Sequence, residues 1–290
     1  MTAIFVRELR SAFSGMLGWL LAAFLTAASG LYFTANNLGL GLSDFGYYTL
    51  YQTSFVLLVY LPVLAMRSLA GERQARTDQL LLTSPVSVWG IVLGKYLAMC
   101  AAFALPCLAD AGMILALRAL GCTGAALASN FASLLGYYLL GCAAIALCEW
   151  VSGLTESPAA AALLSFAALL LAFLMPSLRS LFSAGSAAAL AVFALLAAGA
   201  AVGAGLRSRS LTLGCFLFAA LAAGLSALFL FHPVWLVEAL GGVLEALCLF
   251  APFERFVNGS FSLSAVVYYL SAAGLFLFFT AQHIEKRRWV

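Results

Sequence analysis

Glu72, Arg73, Arg76 and Asp78 crowd into one short stretch of a chain in which only 9% of residues are charged. The run leads at once into Gln79 and the apolar triplet Leu80-Leu81-Leu82, and stops at Thr83-Ser84-Pro85. Charges around a compact apolar knob are the chemistry of recognition, not of bond breaking. The leucines either tuck back against neighbouring helices or enter a groove on another protein, as amphipathic helices do. Thr77 is placed to cap a short helix beginning at Asp78, whose carboxylate suits the positive end of a helix dipole.

Asp110 is a second candidate, the acid that lies deepest in an apolar run, about two turns before Arg118. A charge at the centre of a membrane helix costs about 2.5–3.5 kcal/mol on insertion scales, which makes such residues functional candidates. Asp110 either lines a polar path or is satisfied structurally by neighbouring groups. A proton relay would need a paired Lys, His or second acid, and none is evident in the other apolar runs.

Other chemistry has little to build on. A phosphate-binding GxxxxGK[ST] loop is absent: Gly90-Ile91-Val92-Leu93-Gly94-Lys95-Tyr96 has the wrong spacing, with Tyr where a metal-binding hydroxyl is required. There is no G-x-S-x-G elbow and no H-E-x-x-H pair. The histidines are two, His232 and His283, and the seven cysteines form no C-x-x-C pair. They read as small core hydrophobes. We therefore expect no catalytic, cofactor or metal site in the chain. Glu238 and Glu245 read as the solvated face of a helix, Glu254 and Arg255 as an exposed pair, and Asn258-Gly259-Ser260 as a turn.

The elements that must position these residues follow from composition. The chain has 290 residues, 65% of them apolar, and a mean hydropathy of +1.08, far beyond a soluble domain. The net charge is only +3, and the basic residues form no stripe interleaved with aromatics, so nucleic-acid binding has no footprint. An all-α, polytopic membrane protein is expected, a single transmembrane domain over 1–290. Crossing a bilayer takes about 20 apolar residues of helix, and about eight such runs are present: 15–35, 46–66, 86–117, 131–148, 159–175, 187–206, 211–231 and 261–281. Pro62 should kink the second. Ser84 and Pro85 form a start signal for the third, whose first turns, through Lys95, should stand among lipid headgroups. Glu149 and Glu156 flank the turn between the fourth and fifth.

Residues 187–231 form an Ala-rich hairpin, either two full spans or a re-entrant pair. Residues 1–14 read as an interfacial helix, with Phe5, Leu9 and Phe13 on one face and Arg7, Glu8 and Arg10 toward the other. Residues 233–252 read as an outer amphipathic helix closed by Pro252. Eight spans put both termini on one side. Taking that side as cytoplasmic places Arg7, Arg10, Arg67, Arg73, Arg76, Lys95, Arg207, Arg209, Lys286, Arg287 and Arg288 inside, against Arg118, Arg179 and Arg255 outside. The 67–85 loop is then cytoplasmic.

The run Glu72-Arg73-Gln74-Ala75-Arg76-Thr77-Asp78-Gln79-Leu80-Leu81-Leu82-Thr83-Ser84-Pro85-Val86-Ser87, with Ile91-Val92-Leu93-Gly94-Lys95, closely resembles the first cytoplasmic loop of ABC-2-type transporter permeases, in particular the gliding-motility-associated branch. Val267-Tyr268-Tyr269-Leu270 and Glu285-Lys286-Arg287-Arg288-Trp289 resemble that branch's closing span. At two positions the chain departs from the family's pattern: Arg76 stands where a Gly is expected and Gln79 where Glu is common.

The resemblance implies a six-span exporter core, to which the hairpin is an addition, in the cell membrane. It implies a loop that acts as a coupling helix, with Glu72, Arg73, Arg76, Thr77, Asp78, Gln79, Leu80, Leu81, Leu82 and Thr83 as the docking surface for a separate ATP-binding subunit. ATP and Mg²⁺ would be bound by that partner, and a second permease copy or a related permease would complete a dimer within membrane lipid. The expected function is a permease subunit of an ATP-driven exporter, not itself an enzyme. The rival reading is an ATPase-coupled scaffold or anchor without transport.

Overall fold

The computed structural model describes residues 2–77, 87–121, 124–183, 242 and 248–288. Among them the chain is helical and without strands. Two compact units are present, Met1–Leu171 with Leu249–Val290, and Ala172–Cys248. In the smaller one, the Cys248 thiol donates to the Ala172 carbonyl at 3.7 Å. The expected hairpin at 187–231 and most of the amphipathic segment at 233–252 lie outside the described residues.

In the larger unit, α1 (Thr2–Ser14) is a surface helix with no fully buried residue. Gly15, with φ −91° and ψ 162°, breaks it and starts α2 (Met16–Tyr32). Trp19 pins the corner, donating its indole N–H to the Phe13 carbonyl at 3.0 Å and stacking edge-on against the Phe13 ring. α2 runs on as a wide π-helical turn, Phe33–Leu38, and the chain returns through a second one, Gly46–Tyr51. Three asparagines hold the connection between them. Asn36 donates to the Tyr48 carbonyl, Asn37 bridges Leu42 and Thr49, and Asn130 bonds both Ser43 and Phe45.

The expected second span is not one helix. The chain tightens at 53–59, where Val56 donates to Thr53, Leu58 to Phe55 and Val59 to Val56, and only then forms α3 (Leu57–Ala65). Pro62 lies inside α3, but the break sits more than a turn before it. Pro62 has no N–H to give to the Leu58 carbonyl, and the backbone upstream has shifted to three-residue bonds.

After the loop come α5 (Val88–Ala119), α6 (Gly124–Leu154), α7 (Pro158–Ser183), the short α8 (Ala251–Val257) and α9 (Leu263–Arg288); α4 (Ala70–Gln74) lies within the loop. Among the described residues, five stretches are long and apolar enough to cross a membrane: Met16–Leu38, Val88–Ala119, Ala126–Leu154, Pro158–Ser177 and Leu263–Arg287. The broken run 46–65 touches α8 at its start, through Tyr51 and Glu254, and the chain just beyond its end touches Ser152 near the end of α6.

α6 is the central helix, packed against α5 and α9. Leu69, Val88, Val92, Ala146, Ala273, Leu277, Ala281 and Ile284 form a buried cluster where the three meet. Glycine permits the closest approach of α5 and α6: a Cβ at Gly141 would overlap the Phe103 ring. Burying side chains such as Phe103 and Tyr137 in lipid-facing helices is a matter of dispersion and close packing, since hydrocarbon on the outside removes most of the hydrophobic drive.

Two expected boundaries move. Ser87, not Ser84, is the observed cap of α5, its hydroxyl accepting from the Gly90 N–H at 3.2 Å. Pro252 stands in the first turn of α8, opening a helix where it was expected to close one. The asparagine turn is as expected, with Gly259 at φ +76°. Glu254 and Arg255 do not form the expected pair: Glu254 accepts from Tyr51 and Arg255 donates to Ser264.

Candidate functional site

The loop end of the larger unit gathers the charge that is scarce elsewhere. α4 ends in a Schellman arrangement: Thr77 N–H bonds the Glu72 carbonyl at 2.9 Å and Arg76 N–H bonds Arg73 at 3.0 Å. That closure requires a left-handed residue between them, and Arg76 adopts it with φ +55°. The glycine expected there has a structural reason. The Thr77 hydroxyl also donates to the Glu72 carbonyl, so it serves the end of α4. Asp78, Gln79, Leu80, Leu81, Leu82 and Thr83 lie outside the described residues.

Glu72 faces inward from α4. Its carboxylate takes Arg7 at 2.8 Å and Lys95 at 2.9 Å, and Glu8 takes the same two cations at 2.6 and 3.0 Å. Lys95 is 1% exposed and also donates to the Ser68 carbonyl at 3.2 Å. Its side chain therefore points into the protein, and Glu8 does not face out with Arg10: α1 turns it inward along the stripe of Phe5, Leu9 and Phe13. Two acids and two bases from α1, α4 and α5 thus form one network. Lys95 is the buried member, and stranding it without its acids costs about 3–5 kcal/mol because its charge cannot return to water, whereas the half-exposed Arg7 contributes little.

The network fixes the titration of its outermost acid. Burial alone would raise Glu8, but the opposing charge of Lys95 and the hydrogen bonds from Arg7 and Lys95 outweigh it, holding the carboxyl below its ordinary value. Arg7 is raised, chiefly through its hydrogen bond to Glu8.

A second set of bonds ties α4 to the α6–α7 corner. Ser152 Oγ accepts from the Ala70 N–H at 3.1 Å, and the Arg73 guanidinium donates to the Thr155 carbonyl at 3.2 Å. Arg73 is thus engaged within the chain, whereas Arg76 is exposed. At the same corner Arg287 approaches Glu156 at 3.7 Å.

The structure places Asp110 inside α5 at 1% exposure, and neither carboxylate oxygen has a hydrogen-bond partner among the described residues. Sequence reasoning missed its counterpart. Glu149 was expected beside a turn but lies inside α6, fully buried, with both oxygens equally unpartnered among the described residues. The signal was present: α6 continues to Leu154, so an acid five residues before its end still belongs to the helix.

A family model for the ABC-2 family transporter protein matches residues 26–197. No curated protein and no solved structure matches the chain. The matched stretch runs from the second half of α2 through α7, including the charged loop and its anchors on α5 and α6. The chain therefore belongs to the ABC-2 transporter family, as a multi-pass membrane permease component of an ABC transporter that works with an ABC ATP-binding subunit.

Proposed function

We propose that the chain couples ATP hydrolysis by that separate subunit to export, with two copies, or one copy and a related permease, enclosing the pathway. The reading rests on one observation, the fastening of α4 to α1 and α5 by ion pairs and to α6 by hydrogen bonds. A docking surface that carried no force would need no such fastening.

In this mechanism the ATP-binding subunits, which hold ATP and Mg²⁺, close and push on the 66–95 loop. The push reaches three membrane-embedded or interfacial elements together instead of bending a free loop. Coupling requires that closure favour one arrangement of the spans over another. The positive-inside count supports a cytoplasmic loop and cytoplasmic termini in the cell membrane, and resemblance in the loop and closing span supports the gliding-motility-associated branch.

Leu80-Leu81-Leu82 form the apolar contact and Arg76 part of its charged surround. Co-purification of the full chain with its ATP-binding subunit tests this. Leu81→Asp should abolish association and Arg76→Glu should weaken it, with both variants still inserted in the membrane. Retention of the ATPase at the parental level by both variants would refute the docking site.

A further inference from the structure

A cavity of about 150 Å³ lies beneath α1, between the starts of α2 and α5 and the chain that follows α3. We infer that it is a binding site for the phosphate of an anionic glycerophospholipid of the loop-side leaflet. The inference rests on the chain spanning a membrane and not on how it is coupled to ATP.

Four observations carry it. Arg67 lines the cavity and has no acidic partner among the described residues. Ser68 lines it too; it is 8% exposed, and its Oγ is buried without a hydrogen-bond partner among the described residues. Gly15 and Gly18 bring the first turn of α2 to the cavity wall, and that turn has no side-chain cap, so free N–H groups and the positive helix end are available. Ser11 of α1 adds a further hydroxyl.

Charge decides the class of ligand. Glu8 and Glu72 are committed to Lys95 and Arg7 and balance them, which leaves Arg67 as the lining's uncompensated charge among the described residues. The lining therefore carries a net positive charge and has no free acid to receive the amine of a zwitterionic headgroup. Size decides the portion that enters. The volume equals about five waters at ~30 Å³ each, enough for a phosphate and its ester oxygens but not for acyl chains. The cavity's apolar side, with Leu21, Leu64 and Met99, is where the chains would leave for the bilayer.

A lipid held there would join α1 to α2 and to the chain after α3, alongside the Glu8–Lys95 pair. Native mass spectrometry of the full chain, released from detergent with added phosphatidylglycerol or phosphatidylcholine, tests the site. Phosphatidylglycerol should be retained at one per chain and phosphatidylcholine should not. Arg67→Ala should lower retention about tenfold or more, the effect of one lost charged hydrogen bond. Ser68→Ala should lower it less, Arg67→Lys should restore part of it, and Arg10→Ala, an equal loss of charge on the open face of α1, should leave it unchanged. Equal losses for Arg10→Ala and Arg67→Ala would reduce the effect to diffuse attraction and overturn the proposal. So would equal retention of phosphatidylcholine, full retention by both Arg67→Ala and Ser68→Ala, or displacement of the lipid by excess inorganic phosphate that then stays bound, which would make the site one for the free anion.

Discussion

Arg76 shows how a single residue can be out of character with its backbone. A left-handed conformation costs an L-residue about 1–2 kcal/mol that glycine does not bear, and the Schellman closure of α4 leaves no alternative at this position. Arg76→Gly should therefore tighten α4, with hydrogen exchange of the 70–77 amides slowed several-fold for about 1 kcal/mol gained. Arg76→Ala should not do so. Equal behaviour of the two variants would mean that the left-handed turn is not formed. Glycine was expected here from the resemblance to the family's loop, and the left-handed closure of α4 supplies the physical reason for it. What was not legible was the inward direction of Glu72, since its two cations come from positions 65 residues before and 23 residues after it.

At the scale of the element, α1 was legible in type but not in what it holds. Its four-residue apolar spacing is a local property, whereas the partner that pulls Glu8 inward is Lys95, on a helix beginning at Val88. The start of α5 likewise lies beyond the expected Ser84, at Ser87, whose hydroxyl accepts from the Gly90 N–H. The attachment of α1 should depend on acid in a definite sense. Glu8 has its folded value lowered below 4.5, so its contribution is complete above that value and is lost as pH falls through the lowered one. Arg7, being raised, stays charged throughout. Hydrogen exchange of residues 2–14 should thus be flat from neutral pH down to the ordinary carboxylate range, after correction for the intrinsic rate, and accelerate below it. Glu8→Gln should reduce the acid-dependent step, the Arg7–Glu72 pair remaining, and leave α1 loosened at every pH. A loosening that instead began near neutrality would have to come from another group.

At the scale of the whole molecule, the membrane class was legible because it needs only run length and hydropathy, whereas α3 and Glu149 required knowing where helices break and end. The described residues also show the charge sorted by end. Arg7, Arg67, Arg73, Lys95 and Arg287 lie around α1, α4 and the α6–α7 corner. Arg118 closes the far end of the 32-residue α5, and Arg255 sits on α8, donating to Ser264, next to the Glu254 that takes Tyr51. Basic residues resist translocation, so the richer end should face the cytoplasm. Single cysteines in an otherwise cysteine-free chain read this directly. A cysteine replacing Gly41, in the asparagine-held turn at the far end, should react with a membrane-impermeant maleimide in intact cells. A cysteine replacing Gln74, exposed at the end of α4, should react only once the membrane is opened. The reverse pattern would invert the molecule and put the charged loop out of reach of any cytoplasmic ATPase, so this labelling bears on the coupling mechanism as directly as on topology.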